Sequence, residues 1–393
     1  MKKICFITTI SGTLSAFVLK IAEYLHETGE FDITFICDDN PDFAEELPEY
    51  IRYFPIHMKR GISLSGIQSV WKLFRYFRKE RFDLIQYSTP NASFYASIAG
   101  MAARIPVRIY AQWGIRYVGL SGFSRKIFKM LEKCSCMFST DIRGVSRKNR
   151  QFSIDERLCK ASKIKVLGEG GTIGVDLSEY DLSRKTEYRD RIREMYRIPK
   201  AAFVYGYIGR LNRDKGTSEL IEAFQKADED TYLLMIGKED QTDPVPEKIL
   251  KWAKDCQRVV LTGPVPQNKV PQYLAAIDVH VHPTYREGFG KVIQEAMAME
   301  LPVITTDIPG PSEVIEENIS GLLVPAKDSD ALCKQMVRLK NSPKLCNSLA
   351  AEGRKRAEIF FERTKMLQNI LNDYNSLLGS EEKIHDEIHV ANV

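Results

Sequence analysis

Two short segments of this chain combine glycines with charged side chains in a way that suits an anionic ligand. The first, Gly209-Arg210-Leu211-Asn212-Arg213-Asp214-Lys215-Gly216, lies between an apolar run at 203–208 and a helical pattern at 217–227. Glycines at a strand-to-helix turn let the backbone approach a ligand closely, and a guanidinium with an ammonium suits a diphosphate. The alternative interpretation is an exposed turn whose cations are merely solvated.

The second segment, Glu287-Gly288-Phe289-Gly290, follows His282-Pro283 at another predicted strand-to-helix junction and is followed by Glu295. Its glycines leave backbone N–H groups open at a helix N-terminus, which is a natural seat for phosphate. Two carboxylates about 9 Å apart along a helix axis suit two polyol parts of one ligand, such as a sugar and a ribose. The alternatives are helix N-terminal stabilisation by Glu287 and an ordinary exposed position for Glu295.

Both segments need a scaffold that presents the ends of strands, and the sequence predicts one. The 393 residues are 44% hydrophobic and 27% charged, which is typical of a chain that folds into two or three domains. Short β-rich runs alternate with amphipathic helical stretches, the pattern of parallel sheets covered by helices. The strands are predicted at residues 4–8, 33–37, 84–87, 108–111, 164–167, 203–208, 232–236, 259–261, 279–282 and 303–305. Helices in the first half are predicted at 14–26, 64–79 and 125–133.

A polar, charged segment at 181–200 separates two α/β units, so the domain boundary is predicted near Leu182. The prediction is an N-terminal domain at 1–181, a C-terminal domain at 182–364, a helix at 365–380 packing back on the N-terminal domain, and a frayed tail at 381–393. The longest uncharged stretch, 84–103, contains too many polar residues to span a membrane. The apolar N-terminus lacks a cleavage site and is interpreted as a strand, so a cytoplasmic protein is expected.

The formal net charge of +4 is unevenly distributed. Residues 59–165 hold 22 Lys and Arg against 6 Asp and Glu, a net charge of +16. Such a field favours an anionic partner such as membrane headgroups, a phosphorylated lipid or nucleic acid. No metal is predicted, because neither Cys134 with Cys136 nor His280 with His282 has further ligands at suitable spacing.

Taken together, the motifs resemble the retaining glycosyltransferases of family 4, which have the GT-B architecture of two facing Rossmann-like domains with a cleft between them. The resemblance spans essentially the whole chain and is strongest from residue 205 to residue 328. It rests on the motifs Gly209-Arg210-Leu211, Lys215-Gly216, the pair Glu287 and Glu295, Glu295-Ala296-Met297-Ala298, Pro302-Val303 and Gly321-Leu322-Leu323-Val324-Pro325.

The resemblance implies a role for each matching residue on the donor side. Arg210 and Lys215, with Gly209, would neutralise the nucleotide diphosphate, and Glu287 with Gly288, Phe289 and Gly290 would contact the donor sugar. Glu295 would bind the ribose, and Gly263-Pro264-Val265 would cradle the nucleobase. Glu287, Arg210 and Lys215 are the expected catalytic residues. No cofactor or divalent metal is implied, and the donor is expected to be a UDP-sugar.

On the acceptor side, the loop around Gly12 is expected to reach the diphosphate from the opposite side of the cleft. Gln112, Trp113, Arg116 and Tyr117 are acceptor-pocket candidates, and packing roles are an equal alternative for them. The chain departs from the family twice: Trp113 stands where many members carry histidine, and Glu300 stands where glycine is usual.

The expected function is therefore sugar transfer to a lipid-linked saccharide in bacterial surface-polysaccharide assembly. A basic amphipathic helix at 64–81 is compatible both with packing on the sheet and with peripheral contact to an anionic membrane on the cytoplasmic side. Two rivals remain. A nucleotide-sugar 2-epimerase of the same fold needs no basic acceptor domain, and a nucleic-acid-binding protein leaves the paired cleft motifs unexplained.

Overall fold

The N-terminal domain is built on a parallel sheet. The computed structural model describes residues 1–58 and 65–379. The strands of this domain are β1 (Lys2–Ile7), β2 (Phe31–Ile36), β3 (Ile51–Tyr53), β4 (Leu84–Tyr87), β5 (Val107–Gln112), β6 (Asp141–Gly144) and β7 (Ile164–Lys165). They lie in the order β3-β2-β1-β4-β5-β6-β7. The order reverses between β1 and β4, and open α/β sheets bind ligands at such a switch point.

Helices cover both faces of this sheet, because apolar side chains alternate inward on both sides of its buried strands. The helices are α1 (Ser11–Phe17), α2 (Leu19–Glu27), α3 (Pro41–Glu46), α4 (Ser65–Glu80), α5 (Pro90–Ala102), α6 (Gly122–Phe138) and α7 (Arg147–Asp155). The single helix predicted at 14–26 is wrong, because the backbone of Val18 (φ −120°, ψ −33°) separates α1 from α2. Residue 64, predicted to begin the next helix, lies outside the described residues.

The C-terminal domain repeats this design with a six-stranded sheet. Its strands are β8 (Phe203–Ile208), β9 (Thr231–Ile236), β10 (Val259–Gly263), β11 (Val279–His282), β12 (Val303–Thr306) and β13 (Leu322–Val324), in the order β10-β9-β8-β11-β12-β13. Its helices are α8 (Lys185–Met195), α9 (Thr217–Gln225), α10 (Glu247–Asp255), α11 (Val270–Ala275), α12 (Lys291–Ala298), α13 (Pro311–Val314), α14 (Ser329–Lys340) and α15 (Pro343–Arg356). The predicted class, two facing parallel-sheet α/β domains, is confirmed.

All ten predicted strands are present, and three further strands were missed. These are β3, β6 and β13, each of only three or four residues. In β6, Arg143 is a charged residue whose side chain is buried, and Asp373 accepts two hydrogen bonds from it, at 2.7 and 2.8 Å. The Asp373 carboxylate, 230 residues further along the chain, thus compensates the buried charge of Arg143.

The chain crosses between the domains twice, and the two crossings run side by side. The backbone N–H of Val175 donates to Phe361 at 2.7 Å, and that of Arg363 donates to Val175 at 2.9 Å. The last helix, α16 (Arg363–Leu378), then packs on the N-terminal sheet, where the Tyr374 hydroxyl donates to Gln86 at 2.6 Å. Residues 380–393, including the predicted tail at 381–393, lie outside the described residues. Within the described part of the chain, no helix has the length and apolar character needed to span a bilayer.

Glu300 is accommodated by a left-handed backbone conformation. Its φ is +54°, in the region that glycine adopts without cost. A side chain there costs on the order of 1–2 kcal/mol. The Glu300 carbonyl oxygen accepts a hydrogen bond of 2.8 Å from Lys185, whose ammonium therefore helps to hold the turn between α12 and β12.

Candidate active site

The carboxyl ends of both sheets border the cleft between the domains. Trp113 follows β5 in one domain, and its carbonyl oxygen lies against Gly288, which follows β11 in the other. The carbonyl oxygen of Arg116 accepts a hydrogen bond from Arg286 at 3.2 Å. The two segments that the sequence singles out in the second half, 209–216 and 287–290, lie at this edge.

A glycine brings these two segments together. Gly216 has a φ of +67° and precedes α9, and a Cβ atom on it would collide with the carbonyl oxygen of Pro283. Only glycine allows this approach, since any side chain would push the loop away from the segment after β11. The close approach carries Lys215 to Glu287.

Lys215 and Glu287 form the central pair of the site. Their Nζ and Oε2 atoms are 2.5 Å apart, and His282 Nε2 lies 3.4 Å from the same carboxylate oxygen. Burial alone raises the pKa of Glu287, but Lys215 and His282 outweigh it and hold this pKa well below its usual range. Burial also lowers the pKa of His282, so its ring is neutral at physiological pH. Glu287 is therefore an acceptor of hydrogen bonds and does not act as a proton donor.

Arg210 lies in the same loop but points elsewhere. Its guanidinium is 2.6 Å from Asp240 and the side chain is 60% exposed. Hydrogen bonds from Thr242 and Asn212, together with Arg210, lower the pKa of Asp240 to about 2. The structure thus holds Arg210 beside the ionised Asp240, near the start of the loop. Its guanidinium does not join the Lys215–Glu287 pair.

Glu295 is buried, which removes the interpretation of an ordinary exposed helical residue. It lies in α12 with 4% exposure and accepts a hydrogen bond from Gln267 at 2.8 Å. Lys291 approaches the same oxygen at 3.3 Å. Burial and the Glu295 carboxylate together raise the pKa of the neighbouring Tyr180. Gln267 and Lys291 therefore compensate the burial of this carboxylate.

The glycines around Phe289 serve close packing between the domains. Phe289 is buried and its ring lies 5.7 Å from that of Phe361. It also lies against Gly170 and Gly171. Gly290, with a φ of +89°, begins α12. The Phe289 side chain is therefore structural, and the neighbouring backbone is what faces the cleft.

An open pocket of about 520 Å³ adjoins the Arg210 loop. It lies between the ends of β9 and β10. Val265, the predicted nucleobase contact, comes directly after the lining residue Pro264 and packs partly on the core. The Leu211 N–H donates to Lys238 at 2.9 Å, so the loop and the pocket wall share one surface. The pocket is lined by Leu211, Gly237, Lys238, Glu239, Lys254, Val259, Leu261, Gly263 and Pro264.

The acceptor candidates separate into two groups. Gln112 is 1% exposed, and its amide bonds Glu132 and Ser153, both at 2.8 Å. Tyr117 is fully buried and donates to Glu156 at 3.1 Å. These contacts are those of packing residues in the N-terminal domain.

Trp113 and Arg116 lie nearer the cleft. The Trp113 ring packs 5.4 Å from that of Phe17, which accommodates the indole where family members carry histidine. Arg116 is exposed and its guanidinium lies over the Phe128 ring. Gly12 is exposed in α1 at the end of β1, with open space beside it.

Several residues at the cleft were not anticipated. Arg286 pairs with Asp214 and reaches the Arg116 carbonyl, while Asn149 and Glu313 contact the opposite domain. Arg286 was detectable as the neighbour of Glu287, whereas nothing in the local sequence marks Asn149 or Glu313. In the described ranges, no cluster of three His, Cys, Asp or Glu side chains is arranged to hold a metal ion.

Family models match both domains. One described as "Glycosyl transferases group 1" matches residues 188–356, and one described as "Glycosyl transferase 4-like domain" matches residues 12–170. The chain is 30% identical over 386 residues to the capsular polysaccharide biosynthesis glycosyltransferase CapM of Staphylococcus aureus, covering 97% of this chain and 99% of CapM.

A more distant relative and a solved structure are also similar to this chain over most of its length. The chain is 24% identical over 354 residues to the UDP-Gal:alpha-D-GlcNAc-diphosphoundecaprenol alpha-1,3-galactosyltransferase of Escherichia coli, covering 88% of this chain and 89% of that enzyme. The structure of Anabaena Alr3699/HepE in complex with UDP and glucose has a TM-score of 0.78 at 21% identity, covering 96% of this chain and 100% of that chain.

The fold and its cleft define a GT-B protein. The family matches and the extent of the CapM similarity go further: the chain belongs to the GT-B glycosyltransferases of bacterial surface-polysaccharide synthesis. The resemblance stated from the sequence motifs is confirmed, and a transferase is favoured over the epimerase.

Proposed function

We propose that the protein is a retaining, metal-independent glycosyltransferase that moves a sugar from a UDP-sugar to a lipid-linked saccharide. The observation that carries the proposal is the Lys215–Glu287 pair, 2.5 Å apart at the cleft and next to the Arg210 loop. A diphosphate leaving group gains negative charge as the sugar leaves, and fixed cations stabilise that charge. Lys215 supplies a cation at the pair, and Arg210, exposed in the same loop beside Asp240, is the proposed second cation.

Three features support a UDP-sugar as donor. The pocket of about 520 Å³ beside the Arg210 loop has room for a nucleobase. Buried Glu295 offers carboxylate oxygens to ribose hydroxyls. The Anabaena protein was crystallised with UDP and with UDP-glucose, and the Escherichia coli relative is named for UDP-galactose.

The residues suit attack by the acceptor hydroxyl on the face from which the diphosphate leaves. Glu287 stays ionised and accepts hydrogen bonds from the donor sugar, while the Gly288 and Gly290 backbone lies alongside. The leaving diphosphate takes the acceptor proton, so no protein nucleophile is needed. Trp113 and Arg116 line the acceptor side, and closure of the cleft excludes water.

The first test is calorimetric titration with UDP, GDP and ADP in EDTA. We expect micromolar binding of UDP alone, weakened about tenfold or more by Arg210→Ala and by Glu295→Ala, because each removes a charged hydrogen-bonding group. Lys226→Ala, at an exposed lysine of the same domain, is the matched control. Failure of folded protein to bind any of the three nucleotides contradicts the proposal, and dependence of UDP binding on added metal contradicts metal independence.

We further propose that the N-terminal domain contacts an anionic membrane, where a lipid-linked acceptor resides. Helices α4, α5 and α6 lie side by side on one face of the sheet. In α4, Leu73 and Phe77 are buried, while Ile67 (70%) and Trp71 (56%) are exposed among cations. Phe123 in α6 is 77% exposed, about one turn before the exposed Lys126. Packing and membrane contact therefore use different faces of the same helices.

Sedimentation with lipid vesicles tests this contact. We expect binding to phosphatidylglycerol-containing vesicles and little to pure phosphatidylcholine, with a loss of about tenfold in the double variant Trp71→Ser, Phe123→Ser. Met195→Ser, at an exposed position of the C-terminal domain, is the control and should bind as the wild type does. Equal binding by the double variant excludes this surface as the contact.

A further inference from the structure

The donor-side loop 287–290 is held from the opposite domain. The side-chain amide of Asn149, in α7 of the N-terminal domain, donates to the Gly288 carbonyl oxygen at 2.9 Å. On its other side, Gly288 lies so close to the Trp113 carbonyl oxygen that a Cβ atom would collide with it. The position of Gly288 therefore depends on where the N-terminal domain lies.

A second contact completes the first turn of α7 from across the cleft. The Glu313 carboxylate accepts from the Arg147 N–H at 2.7 Å and from the Lys148 N–H at 3.1 Å. Ser146, in the same domain, caps the next N–H, that of Asn149, at 3.1 Å. The first N–H groups of a helix have no partner within the helix, and its dipole favours a negative charge there. Glu313 supplies that charge only when the domains are together.

Glu313 is also tied to the donor loop within its own domain. Its Oε1 accepts from the Gly310 N–H at 3.3 Å, and Gly310 (φ +95°) packs directly on the Gly288 carbonyl oxygen. That oxygen is the same one that accepts from Asn149. Lys148 adds a hydrogen bond of 2.7 Å to Ser312. One carboxylate thus joins the start of α7 to the start of α13, where Gly310 packs on the loop that follows β11.

We propose that Glu313 and Asn149 are positioning residues that form an interdomain latch, setting the 287–290 loop for sugar transfer only when the cleft is closed. The inference rests on the proposed function and extends it. An open enzyme binds nucleotide through its C-terminal domain but leaves the sugar-contacting loop unsupported. Coupling loop geometry to closure limits transfer of the sugar to water.

The test uses Glu313→Gln and Asn149→Ala in the full chain. The first places an amide N–H₂ against two backbone N–H groups, and the second removes the donor to Gly288. We expect UDP affinity within about twofold of wild type, transfer slowed about tenfold, and a larger share of donor hydrolysis. Transfer is measured from UDP-glucose, UDP-galactose and UDP-N-acetylglucosamine to a bacterial membrane lipid extract. Small-angle X-ray scattering with UDP should give a larger radius of gyration for both variants.

Matched controls are Glu316→Gln, at an exposed glutamate shortly after the end of α13, and Gln151→Ala, in α7 with a hydrogen bond to Asp155. Both should scatter and transfer as wild type does. Unchanged scattering in Glu313→Gln and Asn149→Ala overturns the latch, and so does a loss of UDP affinity equal to the loss of transfer. If wild-type protein binds no UDP, the proposed function fails, and scattering of the unliganded variants still decides the latch.

Discussion

Replacing Lys215 with methionine is expected to slow sugar transfer by about 10³-fold, because it removes a fixed cation from the developing charge of the diphosphate. Methionine keeps the length of the side chain and removes only the ammonium. Glu287 also loses one of the two partners that lower its pKa, so the effect of burial is less opposed and this pKa rises. The residual activity of Lys215→Met should therefore rise with pH as Glu287 loses its proton. Wild-type activity should show no rise from Glu287 over the same range.

The measurement is the initial rate of transfer between pH 5.5 and 9, alongside calorimetric binding of UDP. Lys226→Met is the control, since Lys226 lies at the exposed end of α9 and pairs with Asp330. A loss of less than about tenfold in Lys215→Met would contradict a role in stabilising the leaving group. A flat pH profile for its residual activity would contradict the assigned state of Glu287.

The largest expected effect on stability is that of Arg193→Met, about 3–5 kcal/mol in the free energy of unfolding of the C-terminal domain. Arg193 in α8 is fully buried. Its guanidinium donates to the carbonyl oxygens of Ala276, Lys200 and Ala202 at 2.8–3.0 Å and to Asp278 at 2.8 Å. Methionine fills much of the volume but removes a donor from two buried carbonyl oxygens, from the partly buried Lys200 carbonyl oxygen and from one oxygen of Asp278.

Urea unfolding followed by tryptophan fluorescence measures this effect. Arg184→Met is the control, because Arg184 precedes the same helix, is exposed and pairs with Glu187 on the surface. Its unfolding midpoint should match that of the wild type. An Arg193→Met midpoint equal to wild type would mean that solvent reaches the vacated acceptors and that the buried network contributes little.

The two segments proposed for the donor were predictable as a pair because the residues of each are local in the chain. Each group of glycines and charges lies directly after a strand and before a helix, and parallel strands present these junctions at one edge of the sheet. Lys215 and Glu287 were therefore named from sequence, and the structure brings them together. Glu295 was harder, since its burial depends on Gln267 and Tyr180, which other segments supply.

The acceptor candidates were less predictable because they lie at the end of β5 and in the loop and 3-10 helix that follow it, where side-chain direction does not follow a strand pattern. Trp113 and Arg116 lie near the cleft, whereas Gln112 and Tyr117 are committed to Glu132, Ser153 and Glu156 inside the domain. Whether such a side chain faces the cleft or the core depends on partners far away in sequence.

The sequence by itself determined the α/β class, the two-domain architecture and the two charged, glycine-containing segments after β8 and β11, because hydrophobic periodicity and strand-to-helix motifs are local properties. Only the tertiary structure decided the burial of Arg193, the contact of Asn149 with Gly288 and the hydrogen bonds of Glu313 to the start of α7. These contacts join residues 85 to 166 positions apart. Their formation depends on strand order and on the packing of one domain against the other, which no local pattern encodes.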